Sequence, residues 1–438
     1  MERYKRKGGV FMIQKISEIN NKIVLHYINE EKYKSNIIAV FLTVPLLRET
    51  VTINTLIPAV LKRGTSKYPS MQKLEIHLEE MYGSTLSASV DKTGNNHILK
   101  FYTETIKDEI VGENLFEKSV ENISELIFSP YLENGIFSNE YVSQEKEILH
   151  TVINNKVNNK SSYARGRCIE SLCGDEGYGM YTYGYVQDLK NINAASIYNQ
   201  YIDVLKTAKI DIFVCSNKSE EEVKDTLEKY FNYDILNQRE NIYIPKQTYI
   251  PSVEKTKEIK ESMDVVQGNL LFGLTITNIE KLDKNAIIVL NALLGVGTNS
   301  KLFRNIREKE HLAYTASSSY IRNTNIISVY AGIEIKNYDK AVELIKKEIL
   351  DLKKGNISKR ELADAKSIIT YSYNSLSDSP YSVINFYFDK SIANENISID
   401  ECIKRIEKVK VSDIVNVSKK LNLNVIYYLT NEQNGGVE

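Results

Sequence analysis

Apolar residues recur along this chain with two different periods. Spacings of three to four residues predict a helix over 70–81, with Met71, Leu74, Ile76, Leu78 and Met81 on its apolar face. The same period predicts helices over 115–128 and over 339–353, the latter carrying Ala341, Leu344, Ile345 and Ile349 as a stripe. Short apolar runs predict strands at 37–44, 98–103, 210–214, 269–277, 326–335 and 424–429. Strands flanked by helices without a regular strand–helix beat describe α+β layers rather than a doubly wound sheet.

The order of these runs occurs twice. NIIAVFLTV near residue 40 is answered by GNLLFGLTI near 270, LKRGTSK by LLGVGTNS, and MYGSTLSASVD by LAYTASSSY. Leu42-Thr43 pairs with Leu274-Thr275, Gly64-Thr65 with Gly297-Thr298, and Tyr82 with Tyr314, at offsets of 232, 233 and 232 residues. That period is far too long for a solenoid and defines a duplicated unit. Between the copies, 232–262 holds Pro245, Pro251 and the charged run VEKTKEIKES, which read as a linker. The expected organisation is a first half over 1–235, a linker over 236–262 and a second half over 263–438.

Composition narrows the function. With 438 residues and 42% hydrophobic positions the chain can bury ordinary cores, which excludes bulk disorder. Its 56 basic and 57 acidic side chains leave a net charge of −1, so there is no chain-wide electrostatic case for nucleic acid or an anionic membrane. The longest apolar stretch, 37–47, is broken by Pro45 and falls far short of the ~20 residues of a spanning helix. The basic start (Arg3, Lys5, Arg6, Lys7) precedes an apolar run over 10–13, too short for a secretory signal. Cys168 and Cys173 are five apart, which is neither zinc-knuckle nor redox spacing; buried packing and a reducing, cytoplasmic location are expected.

The duplicated half, the turn LLGVGTNSKLF and the following IREKEHLAYTASSSY together resemble the M16 metallopeptidases, the family of pitrilysin, the insulin-degrading enzymes and the mitochondrial processing peptidase. Lys62-Arg63-Gly64-Thr65, the segment 178–189 and the strand at 210–216 add to the likeness, which spans essentially the whole chain. The resemblance implies two halves of LuxS/MPP-like metallohydrolase type, each an antiparallel sheet packed with helices, together forming half of a clamshell. It also implies a zinc motif, His-x-x-Glu-His, on a helix of the first half, with a second glutamate some seventy or more residues on.

That motif is missing. Alignment on 62–65 puts Thr55, Pro58 and Ala59 where the family has histidine, glutamate and histidine, and the distal ligand falls at Thr151 or Val152. A hydroxyl, a ring and a methyl cannot bind zinc or activate water, and an interior proline kinks a helix. The five histidines (His26, His77, His97, His150, His311) include no pair within four residues, so no local clamp replaces it. No metal or other cofactor is expected in this chain, and zinc only in a partner subunit.

Two positions of the family's equipment remain. By the resemblance, Tyr314 donates a hydrogen bond to the oxyanion and Arg307 holds a substrate carbonyl or carboxylate, both from across the cavity. Spacing alone favours a solvated helix end and a strand tyrosine; the resemblance reverses that preference. Gly295 and Gly297 fit a tight turn and a substrate-handling loop equally. Asp175-Glu176 lacks the alternating acids of a calcium loop, Cys168 lacks a thiol-protease context, and the lysine runs at 156–160 and 346–354 read as solvated faces. The expected function is a bacterial pseudoprotease subunit. It pairs with a His-x-x-Glu-His M16 chain and lends Arg307 and Tyr314 to a composite peptidase site. The alternative is a non-enzymatic peptide-binding or scaffold protein, and an enzyme with a relocated site ranks last.

Overall fold

The computed structural model describes residues 14–19, 22–174, 177–247 and 249–431. The N-terminal basic stretch, the apolar run after it and the Asp175-Glu176 pair lie outside them. Two sheets form the frame. The first is built from β1 (Gln14–Ile19), β2 (Ile23–Asn29), β3 (Ser35–Pro45), β4 (Thr85–Thr93), β5 (Asn96–Ile106) and β6 (Lys209–Ser216), in the order β1-β2-β6-β3-β5-β4. The second contains β7 (Lys257–Ser262), β8 (Gly268–Ile276), β9 (Ala313–Ile321), β10 (Ile326–Ile333) and β11 (Leu421–Thr430), in the order β7-β11-β8-β10-β9.

The duplication extends to topology. Apart from β1, the two orders superimpose strand for strand, and each sheet has a single parallel pair at the corresponding place, β2 with β6 and β7 with β11. The segment expected to be linker therefore contributes β7, the counterpart of β2. Its KEIKES pattern buries little on this edge, so the sequence carried no apolar run to mark it. The Tyr82–Tyr314 anchor does not fall at matching places either: Tyr82 sits in the turn before β4 with φ +58°, whereas Tyr314 lies within β9.

The apolar runs explain themselves by their two faces. β3 is buried on both sides because Ile38, Val40 and Leu42 face the helices of the first half while Ile37, Ala39 and Phe41 join the core of the second. The helix expected over 70–81 spans Met71–Glu80 behind an Ser70 cap, but it buries Leu74 and Leu78 and leaves Met71 and Ile76 exposed. The expected 115–128 helix is Leu115–Phe128, and the 339–353 helix extends by a residue at each end to Tyr338–Lys354.

The halves are joined by an exchange of corresponding helices. Lys160–Cys173, from the first half, lays Ala164, Cys168, Ile169 and Leu172 on the second sheet against Leu271, Val425 and Tyr427. Its Tyr163 and Arg167 bond Glu261 of β7 at 2.6 and 3.1 Å. Reciprocally, Pro380–Ile392 covers the first sheet: Phe388 packs 4.3 Å from the Phe41 ring, and Tyr381 and Asn385 hydrogen-bond Glu104 and Tyr102 of β5. Beneath this helix a buried Asp211 accepts from His26 at 2.8 Å and from Lys209 at 2.6 Å.

Candidate functional site

Helix Val51–Leu61 carries Thr55, Pro58 and Ala59, and helix Asn139–Asn154 carries Val152. The fold brings these four, from far apart in the sequence, into the wall of one cavity of about 200 Å³, completed by Ala88 and Val90 of β4, Glu145 and Tyr183. Thr151, the other residue considered for the distal position, is exposed and does not line it. Pro58 sits well inside its helix, where it withholds the N–H that would bond the Asn54 carbonyl. Thr55 is nearly buried and spends its hydroxyl on the Val51 and Thr182 carbonyls at 2.9 and 3.2 Å.

The segment 177–189, which contributes Tyr183 to the cavity wall, is pinned to the same helix. Asp188 takes a bidentate pair from Arg48 at 2.7 and 3.0 Å and a hydrogen bond from Thr52 at 2.5 Å. Burial pushes the Asp188 carboxyl up, but these donors and the Arg48 charge outweigh it and hold it below the usual range. Arg48 also lies 4.0 Å over the Tyr185 ring.

The donor set does not fit zinc. Among the described residues no imidazole or thiolate lines the cavity, and its one carboxylate, Glu145, is engaged by the Arg63 guanidinium, which also reaches Gln144 at 2.9 Å. Among the described residues, no group of three or more histidines, cysteines, aspartates or glutamates is placed to hold a metal ion. Glu145 and Arg63 are site residues that sequence reasoning passed over; an Arg–Glu pair this distant in sequence has no local signature.

Arg307 and Tyr314 do not line this cavity. Arg307 lies on a π-helical turn, Phe303–Lys309, with its guanidinium 4.5 Å over the Phe303 ring. Tyr314, on edge strand β9, is 66% exposed. The two are seven positions apart in sequence, on either side of a turn in which His311 takes φ +52°. Both glycines are closely approached: a Cβ on Gly295 would lie 2.2 Å from the Ser318 amide nitrogen, and one on Gly297 (φ +77°) 2.4 Å from the Ile368 side chain.

His97 on β5 stands opposite Lys92 of β4, fully buried. Burial pushes its imidazole down to about 4, against a smaller upward pull from the Thr182 backbone. The unfolded chain takes up this proton near 6.5 and the folded one near 4, so stability falls as pH falls through that window. On this account the protein is about 2 kcal/mol less stable at pH 5 than at pH 7. Urea midpoints at the two pH values should show a difference that His97→Leu reduces; an unchanged difference would remove His97 as its source.

Comparison with known proteins places this architecture. Residues 191–369 match the peptidase M16 inactive domain. The chain is 30% identical over 423 residues to the probable inactive metalloprotease YmfF of Bacillus subtilis (strain 168), covering 94% of this chain and 98% of that protein. The crystal structure of a conserved protein from Enterococcus faecalis V583 superimposes with a TM-score of 0.86 at 27% identity, over 96% of this chain and all of that one. A protease from Helicobacter pylori shares the fold with a TM-score of 0.78 at 16% identity, over 96% of this chain and 100% of that one. The two-sheet fold is thus that of the M16 peptidases. The chain belongs to the M16 family, as one of its non-catalytic members.

Proposed function

We propose that this chain is the non-catalytic subunit of a cytoplasmic, two-chain M16 peptidase. It pairs with an M16 protein that carries His-x-x-Glu-His, encloses a peptide between the two chains, and presents Arg307 and Tyr314 to the partner's site. The observation that carries this reading is an asymmetry. The positions that would hold zinc are Thr55, Pro58, Ala59 and Val152, while the arginine and tyrosine of the second half are kept and face solvent rather than this chain's own cavity. Among the described residues β4 is an edge strand, and its open side beside the cavity adds support for a peptide ligand, because an extended segment can add to an open edge as a further strand.

The test mixes components. A quenched peptide library is incubated with this chain, with the His-x-x-Glu-His M16 protein of the same organism, and with both at equal concentration. Cleavage is expected in the mixture alone. Cleavage by this chain alone would overturn the reading. A silent mixture with no association between the chains would favour the second one, a peptide-holding protein without catalysis, for which the apolar cavity and the open β4 edge suffice.

A further inference from the structure

A second, larger cavity of about 530 Å³ lies where the exchanged helix Lys160–Cys173 and the segment after it meet β9 and β10. Among the described residues its walls carry four cations, Lys92, Lys156, Arg165 and Arg167, and a single carboxylate, Glu170, which Arg167 already engages. Among the described residues the other three have no acidic partner. Lys92 donates to the carbonyls of Tyr178 and Met180 at 2.7 and 2.5 Å. The Arg165 guanidinium rests 4.0 Å over the Tyr330 ring, and the Lys156 ammonium lies 5.1 Å from the ring of Tyr181. Burial pushes Lys92 down to about 8 and lowers Arg165 as well. Partly buried cations whose hydrogen bonds and close contacts among the described residues go to carbonyls and ring faces are under-compensated, and an anion entering the cavity would complete them with charge-assisted hydrogen bonds.

The position of this cavity specifies the anion. β4 runs past both cavities: Ala88 and Val90 wall the smaller one, and Lys92, next in the alternation and so on the same face, lines the larger. Two strand residues span about 7 Å. A peptide laid along the free edge of β4, with one residue over the Thr55–Val152 cavity, therefore reaches the basic cavity a few residues further on. We propose that the basic cavity is a subsite for a peptide carboxylate, either an aspartate or glutamate side chain or the C-terminal carboxylate. The proposal rests on the peptide-binding reading above and adds to it a preference for acidic peptides.

Fluorescence anisotropy with this chain alone tests it, using labelled ten-residue peptides of one neutral sequence in which two adjacent positions are Glu, Gln or Lys, each with a free or an amidated C-terminus. The Glu peptides are expected to bind about tenfold or more tightly than the Gln peptides, with an advantage that shrinks at high salt. Arg165→Gln combined with Lys156→Gln should abolish that advantage without shifting the melting temperature. If the free terminus is the anion instead, amidation abolishes the advantage that those substitutions remove. Equal binding of all peptides, no binding, or a Glu preference that survives the double substitution would overturn the subsite. The same peptides given to the mixed chains separate the two readings: cleavage without acidic preference sinks the subsite and leaves the composite peptidase standing.

Discussion

Tyr314→Phe and Arg307→Ala in this chain are each expected to slow cleavage by the mixed chains about 10²-fold or more, while the chain's own thermal unfolding stays where it was. The magnitude follows from the role. A donor aimed at a developing oxyanion is worth about 10²–10³ in rate, roughly 3–4 kcal/mol of transition-state stabilisation. Phenylalanine removes that donor and little else, so the loss should appear in kcat with KM nearly constant. Arg307→Ala removes a fork of donors that can also hold the ground state, so KM should rise as well.

The unchanged stability follows from the surroundings. Tyr314 is two-thirds exposed, and the guanidinium of Arg307 rests on the Phe303 ring in an otherwise exposed setting. Neither side chain is needed by the fold around it. Melting curves of the variants and steady-state kinetics of the mixture together check this. Rates within twofold of wild type would make the two residues relics, and a large drop in melting temperature would show them to be structural.

The sequence revealed most where a single residue pattern had a single cause. β3 reads as a continuous apolar run because both its faces are covered, and its counterpart β8 reads the same way for the same reason. The duplication was legible because the two sheets repeat one strand order. β7 was not legible, since an edge strand with lysine and glutamate on its open face carries no apolar signal. The exchanged helix over 160–173 was equally silent. Ala164, Cys168, Ile169 and Leu172 make a thin stripe whose meaning depends on the second sheet, more than 90 residues away in sequence. At the site, alignment on 62–65 picked out Thr55, Pro58, Ala59 and Val152, and the fold gathers all four. The Glu145–Arg63 pair and the basic cavity came from tertiary placement alone.

The reciprocal helix exchange makes the largest stability prediction. Phe388 lies in the second half's Pro380–Ile392 helix, yet its ring is 2% exposed and sits 4.3 Å from Phe41 and 6.1 Å from Phe213 of the first sheet. Phe388→Ala deletes a ring from a close-packed layer that neither half can refill, because the neighbours belong to a sheet on one side and a helix on the other. Removals of this kind cost about 3–5 kcal/mol. If the two halves folded independently, the variant would split unfolding into two steps, with the first half melting at its own midpoint. The exchange argues otherwise: the helix that covers the first sheet comes from the second half, and the helix over 160–173 covers the second sheet in return. A single urea transition shifted to lower concentration, with the slope preserved, is therefore expected for Phe388→Ala. Two resolved transitions, or a loss below about 1 kcal/mol, would show that the contact is not part of a shared core.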